Sequence, residues 1–378
     1  MHRLMAGVTI LEHELSELRL LVERQTGILL DCPNSALAAH VAEYLESQEL
    51  ESAASLIGRL RAADLDPSAL PTFLDGVLNV NTGFFRHPGA MNALARQVIP
   101  QLYARKSEDG FGTLRIWSAG CSTGEEAYSI AMALCEAFPG GNGNGNSNGS
   151  GNGTAGRDLK EKNAGRNGGI AENGGLAAPG PSIGPSLKDW SIHIVGSDLL
   201  PSVIEVAERG LYPQSALTGL PPAAIRASFS KIGSPNGMQT GSQEKSQNPI
   251  NHGSRNGSGN GAHGWNGTNG ENRTSNGAHL LVKPRLRSLV TFHTMNLTKP
   301  VYIGRFDCIF CMDVLPHLSR TQRTALLERL HLYLEPGGYL FLSQTEKLCA
   351  PNLNFRSETY DGYTFHRKPL AASAAYGR

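Results

Sequence analysis

Leu114-Arg-Ile-Trp-Ser-Ala-Gly120 is followed at once by Cys121-Ser-Thr-Gly124 and then by Glu125-Glu-Ala-Tyr-Ser-Ile-Ala-Met-Ala-Leu-Cys135. The first segment reads as a strand and the second as a glycine-bearing turn. The third reads as a helix whose apolar positions Ala127, Ile130, Ala131, Leu134 and Cys135 form one stripe. Glu125 and Glu126 fall in its first turn, where the helix macrodipole favours acidic side chains. A strand, a tight turn and a helix in this order are the unit of an α/β fold, and a glycine turn lets a ligand approach the backbone closely. Taken alone, Ala119 to Gly124 is a weak signal, because it lacks the full dinucleotide fingerprint.

The next strand adds a second element. Trp190 to Val195 runs into Gly196-Ser-Asp198, which puts an acidic residue at a strand end, where it can accept hydrogen bonds from a ribose. Gly124 and Asp198 are 74 positions apart. Excising a low-complexity tract between them of roughly 48 residues leaves about 26, near the spacing of these two elements in nucleotide-binding sheets. Asp198 also suits the N-cap of a helix predicted from Pro201 to Arg209, and the two roles are either exclusive or shared. Gly120-Cys-Ser122-Thr-Gly124 satisfies a further pattern, the G-x-S-x-G nucleophile elbow. As a hydrolase, the chain would use Ser122 as nucleophile, with His317 and Asp307 or Asp313 as partners on or beside a single late strand.

Working outward, Leu281 to Asn296, Phe306 to Val314, a helix from Gln322 to Leu334, a turn at Glu335-Pro-Gly-Gly338 and a strand from Tyr339 to Ser343 continue the alternation. One open, parallel, doubly wound sheet is expected to hold them all. Toward the N-terminus the apolar spacing is helical, with Leu11, Leu15, Leu18, Leu21 and Val22, then Ala36 to Leu45, Leu50 to Ala62 and Ser68 to Val77. Gly27, Pro33 and Pro67 mark the turns of a small bundle, and one more helix is expected at Met91 to Leu102.

Two stretches, 139–186 and 233–277, are dominated by Gly, Asn and Ser and hold too few aliphatics to offset the entropy of ordering, so both are expected to be disordered insertions. About 290 residues remain, enough for a small helical domain and a larger α/β domain. With 34 Lys and Arg against 33 Asp and Glu and no basic run, the electrostatic footprint for nucleic acid is missing. The N-terminus shows no apolar signal core, and nothing approaches a run of about 18 apolar residues, so a cytoplasmic location and no membrane span are expected. The six cysteines are scattered as free thiols. Cys308 and Cys311 sit three apart on a predicted strand and face opposite sides, which argues against a shared metal, and none is expected.

Several of these motifs, in order, resemble the CheR-type chemotaxis protein-glutamate O-methyltransferases. Thr82-Gly-Phe-Phe-Arg86 is similar to that family's T-x-F-F-R element, and Ile116 to Met132 is very close to its W-S-A-x-C-S-x-G-E-E-P-Y-S-x-A-M signature. Gly196-Ser-Asp198, Asn296-Leu297 and Phe306 to Cys311 fall where its remaining motifs lie. The resemblance covers nearly the whole of the expected folded chain. It implies an α/β architecture in which a small N-terminal helical domain, 1–78, precedes a Rossmann-like methyltransferase domain, 79–370, with a small β subdomain. It implies S-adenosyl-L-methionine as cofactor, held by Thr82, Arg86, Ala119, Gly120, Cys121, Glu125, Asp198, Asn296, Leu297, Cys311 and Met312, with Glu125 toward the cofactor's charged end. Arg86 and His317 are the implied catalytic-side residues, and the implied partner is a methyl-accepting chemoreceptor or a related coiled coil. Phe84 and Phe85 are read as core packing.

The pattern departs from the family after the late strand. Met312 and Asp313 stand where an Arg-Asn pair is usual, and His317 where a tyrosine is usual, so a cation is lost and an acid gained beside the acceptor. A protonated His317 would restore part of that charge. Val80, between Asn79 and Asn81, replaces an expected asparagine, and Asn34, Ser35 and His40 replace basic residues on the helical domain, where Arg59 and Arg61 remain. A cofactor-binding regulatory protein, or a methyltransferase for another protein substrate, therefore stays beside the leading reading.

Overall fold

The computed structural model describes residues 10–62, 65–78, 81–108, 112–138, 190–232, 279–301, 303–350 and 352–370. The two tracts expected to be disordered, and Asn79 and Val80, lie outside the described residues.

Leu15, Leu18 and Val22 bury one face of α1 (Glu12–Thr26). The Glu14 carboxylate caps its start by accepting from the Leu11 N–H at 2.9 Å. Pro33 precedes α2 (Asn34–Ser47), and the Ser52 hydroxyl caps α3 (Ala53–Arg61) by accepting from the Ser55 N–H at 3.2 Å. With α4 (Ala69–Val77) these helices enclose one apolar core around Leu37, Leu56, Leu60 and Phe73. Leu200 and Val203, from a helix much later in the chain, complete that core and seat the bundle on the α/β part. The helix expected at Met91 to Leu102 runs longer, as α5 (Pro88–Ala93), a π-helical turn at Leu94–Val98 and α6 (Ile99–Glu108).

β1 (Thr113–Ala119) is central because both faces of its second half are buried. It leads through the glycine turn into α7 (Glu125–Ala137), and the chain re-enters the sheet at β2 (Ser191–Asp198), followed by α8 (Pro201–Arg209). β2 pairs with β1 in parallel along its length, from Thr113↔Ser191 to Ala119↔Ser197.

The chain then builds a second sheet from β3 (Leu211–Pro213), β4 (Phe229–Lys231), which follows α9 (Pro222–Ser228), and β5 (His279–Val282). All its pairings are antiparallel. This second sheet stands where the resemblance implied a small β subdomain, and the expectation that the run from Leu281 belongs to the one main sheet is corrected. The run read as continuous from Leu281 stops at Val282, because Pro284 opens the short helix α10 (Pro284–Arg287), and only β6 (Val290–Thr294) joins the main sheet.

β7 (Phe306–Phe310), α11 (Arg320–Tyr333), β8 (Leu334–Phe341) and the hairpin β9 (Arg356–Tyr360) and β10 (Tyr363–Arg367) complete the order β6-β2-β1-β7-β8-β10-β9. The first five strands are parallel, and the hairpin adds an antiparallel edge that was not anticipated. Glu335 to Gly338 is a bulge inside β8 rather than a turn before it, since the pairing with β7 jumps from Phe306↔Leu334 to Cys308↔Tyr339. From β1 the chain proceeds to β2 on one side and later to β7 on the other, which opens a crevice at the carboxyl ends of these strands. Among the described residues, no helix is long and apolar enough to cross a membrane.

Candidate functional site

Beyond the carboxyl ends of β1, β2, β6 and β7 lies a cavity of about 720 Å³. Gly120, Cys121 and Ser122, from the turn after β1, form its floor. The Gly120 and Cys121 N–H groups both donate to the Ser197 carbonyl, at 2.8 and 2.9 Å, which ties the turn to β2. Gly120 has φ +85°, and a Cβ there would lie 2.5 Å from Val314 Cγ2 in the loop after β7. Only glycine lets the turn pass so close beneath that loop.

Asp198 sits at the junction. Its Oδ2 accepts from the Ser122 N–H at 2.9 Å, its Oδ1 from the Leu200 N–H at 3.2 Å, and its carbonyl from the Met295 N–H at 2.7 Å. Burial pushes the carboxyl up, and the backbone donors offset this only in part. The N-cap position of α8 belongs to Leu200, which makes no side-chain cap. Asp198 is therefore not the cap of that helix, and its carboxylate borders the cavity.

Thr82, Arg86, Gly120, Cys121, Asp198, Asn296, Leu297, Met312 and His317 all line this one cavity. Ala119, Glu125 and Cys311 do not; they are 0 %, 6 % and 0 % exposed and lie behind the wall. Glu125 accepts from the Thr123 hydroxyl at 2.6 Å, on the side where the Tyr212 hydroxyl donates to the Thr123 carbonyl at 2.6 Å. One residue along a helix is a rotation of about 100°. That rotation brings Glu126, not Glu125, to the cavity, where it accepts from the Ser118 hydroxyl at 2.6 Å.

Asn296 is engaged at both ends. Its amide N donates to the Gln25 carbonyl at 3.3 Å, and its Oδ1 accepts from Thr298 N at 2.9 Å and Thr298 Oγ1 at 2.8 Å. The segment after α1 closes over the site beside it. The single Thr298 hydroxyl proton is shared between Asn296 Oδ1 and the Thr26 carbonyl, 2.9 Å away, Leu29 N donates to the His317 carbonyl at 2.8 Å, and Ile28 bridges Leu318. Ile28, Leu29, Leu30 and Pro33 thus supply an apolar wall from the helical bundle, which no motif in the sequence announced. Phe84 packs edge-on against Tyr212 and Phe229, and Phe85 packs against the same apolar core while also bordering the cavity.

On the side of β7, Asp313 Oδ2 forms an ion pair with Arg86 Nε at 3.1 Å and a hydrogen bond with His87 Nε2 at 2.8 Å. Glu346 accepts the Asp313, Leu315 and Ser343 N–H groups at 3.2, 2.9 and 2.8 Å and so holds this loop in place. Among the described residues no histidine hydrogen-bonds Ser122, and the acid and histidine that do pair, Asp313 and His87, are joined to Arg86 instead. The hydrolase arrangement therefore has no geometric support. Cys308 and Cys311 fall in two different apolar clusters, and no group of three potential metal ligands occurs among the described residues.

Glu126 is enclosed by protein except where it meets the cavity, and burial raises its pKa to about 7 against the Ser118 hydrogen bond, with Asp313 and Glu346 adding to the rise. Above the ordinary value of 4.5 and up to about 7, the folded protein keeps a proton that the unfolded chain has released. Stability contributed by this group accordingly declines as pH rises through that window and levels off above it. Glu126→Gln removes the slope, so its stability relative to wild type should be greater at about pH 8 than at about pH 5, by up to about 3 kcal/mol. Urea unfolding at the two pH values measures this; a difference independent of pH would show that the carboxyl is hydrated.

The sequence pattern of the family described as "CheR methyltransferase, SAM binding domain" matches residues 80–145 and 270–363. The chain is 25% identical over 354 residues to chemotaxis protein methyltransferase 1 of Pseudomonas aeruginosa, covering 90% of this chain and 96% of that one. It is 25% identical over 359 residues to chemotaxis protein methyltransferase Cher2 of Pseudomonas putida, covering 91% and 98%. With chemotaxis protein methyltransferase 1 of Vibrio cholerae the identity is 23% over 352 residues, covering 92% and 93%.

Proposed function

We propose, from the premise that this chain carries the S-adenosylmethionine-binding domain of the CheR methyltransferases, that it methylates a glutamate side chain of a chemoreceptor-like coiled coil in the cytoplasm, forming a methyl ester. The observation that carries this reading is the gathering of Asp198, the glycine turn, Arg86 and His317 around one cavity at the switch point of a parallel sheet.

The residues fit the cofactor. A cavity of about 720 Å³ lies within the usual range for small-molecule sites. Asp198 presents a carboxylate to ribose hydroxyls, and Glu126, in place of Glu125, presents one to the ammonium end. The turn at Gly120 permits close backbone approach, while Thr82, Cys121, Asn296, Leu297 and Met312 border the remaining space. Arg86 has the geometry to hold a carboxylate.

When bound, the cofactor supplies a methyl group on a positively charged sulfur. The protein's own task is alignment, because a glutamate carboxylate is already a nucleophile at neutral pH. Arg86 and His317 orient the acceptor oxygen, and the apolar side chains of Ile28, Leu29 and Leu30 limit the access of water. Orientation of this kind can lower a barrier by up to roughly 7 to 11 kcal/mol.

The test is transfer of labelled methyl from S-adenosylmethionine into receptor-containing membranes of the source organism, with Arg86→Ala as comparison. Base-labile label on a receptor-sized band, lost in the variant, is the expected result. Label that resists base would move the acceptor to another side chain. Absence of label from folded, cofactor-binding protein given unmethylated receptors would favour the regulatory reading, to which the acid at Asp313 beside Arg86 lends weight.

A further inference from the structure

Arg86 and His87 are consecutive in the chain and converge on one oxygen of Asp313, at 3.1 and 2.8 Å. All three line the cavity, and Arg86 and Asp313 have side chains 38 % and 36 % exposed, so this group faces the cavity rather than being sealed in the core. Asp313 is not a freely swinging surface acid. Its backbone is in the left-handed region at φ +59°, and Glu346 anchors it through three backbone N–H groups on either side of the loop. A guanidinium and an imidazole N–H directed at one carboxylate are the kind of donors that grip a ligand carboxylate. Here the carboxylate is supplied by the protein itself.

We infer that Arg86 and His87 form a carboxylate clamp and that Asp313 is its internal occupant, which a ligand carboxylate must displace or share before it is held. The inference rests on the cavity being the site proposed above, and it assigns Asp313 as the residue that weakens capture of carboxylates there. The occupant is charged in neutral solution. Burial opposes ionisation, but the hydrogen bond from His87, with smaller contributions from the Ser343 hydroxyl and the charge of Arg86, outweighs it and holds the carboxyl below its ordinary range. The other acid lining the cavity nearby, Glu126, adds no cation, and Glu346 is committed to backbone donors. The ligand carboxylate has two possible sources, the cofactor's amino-acid end and the acceptor's side chain.

Asp313→Asn separates them, because asparagine tolerates the left-handed backbone and keeps the side chain's size while removing the charge. Titration calorimetry compares S-adenosylhomocysteine, which carries the amino-acid carboxylate, with 5′-methylthioadenosine, which lacks it. A third titration adds N-acetylglutamate α-amide, a single side-chain carboxylate, to protein saturated with S-adenosylhomocysteine. If the clamp serves the cofactor, the variant binds S-adenosylhomocysteine roughly tenfold tighter, a change of about 1.4 kcal/mol, while methylthioadenosine affinity stays put. If it serves the acceptor, the gain of roughly tenfold falls on N-acetylglutamate α-amide instead.

No gain for either carboxylate, or equal weakening of S-adenosylhomocysteine and methylthioadenosine, overturns the inference and leaves Asp313 a structural partner of Arg86. Asp313→Gly, which also suits a positive φ, repeats the comparison should the asparagine variant unfold early. Failure of methyl transfer to any receptor would sink the proposed function without touching these binding ratios.

Discussion

Asp198→Ala is expected to weaken S-adenosylhomocysteine binding by roughly 100-fold or more, since each hydrogen bond to a charged group contributes about 1.5 to 3 kcal/mol and a ribose offers two hydroxyls. The size of the effect follows from where Asp198 stands. Its carboxylate already accepts from Ser122 N at the turn after β1 and from Leu200 N ahead of α8. Alanine would therefore remove the proposed ribose acceptor and also release the Ser122 N–H, which holds the cavity floor against β2. Asp198→Asn keeps one acceptor oxygen and most of the shape, and should fall between wild type and alanine. Titration calorimetry with S-adenosylhomocysteine decides this. An alanine variant within about threefold of wild type, less than 1 kcal/mol, would remove Asp198 from the proposed cofactor site.

Lys106→Met should destabilise the fold by about 3 to 5 kcal/mol, the usual consequence of leaving one member of a buried ion pair alone. Asp307, on β7, has a side chain only 2 % exposed, and its Oδ2 accepts from Lys106 Nζ at 2.7 Å and from Arg115 N at 2.9 Å. Lys106 also donates to the Thr113 carbonyl at 2.5 Å, so it fastens α6 to both β1 and β7 beneath the site. Arg105, an ion-pair partner 3.9 Å from the other Asp307 oxygen, makes no hydrogen bond there and offsets only part of the loss. The double variant Lys106→Met with Asp307→Leu removes both charges and should recover most of the loss. Urea unfolding midpoints of the two variants provide the measurement. A single variant as stable as wild type would mean that water reaches Asp307.

The unit from β1 through the glycine turn to α7 was legible because it is local. Alternating burial, two glycines and an apolar stripe are all written within the residues from Leu114 to Cys135. The same holds for α8, announced by Pro201 and ended at Gly210, and for the four N-terminal helices with their apolar spacing. The stretch from Leu281 to Asn296 misled because a four-residue strand, a single helical turn and a five-residue strand are each too short to show a period. The hairpin of β9 and β10 was missed for the same reason, its polar edge giving no continuous apolar run.

The site divides along the same line. The sequence by itself determined the kind of turn, the acid at the end of β2 and the family resemblance that named Thr82, Arg86, Asn296 and His317 among the residues around the cavity. It pointed to Glu125 where Glu126 is the acid that lines the cavity, because which of the two faces it depends on how α7 is rotated against the sheet. It could not join Arg86 and His87 to Asp313, which is 226 positions from His87, or bring Ile28 and Leu29 against His317 and Leu318. Those contacts exist because Leu200 and Val203 dock the helical bundle onto the parallel sheet and because Glu346 locks the loop after β7. Local pattern records what a segment prefers, whereas which side chains meet in the cavity is decided by packing between segments far apart in the chain.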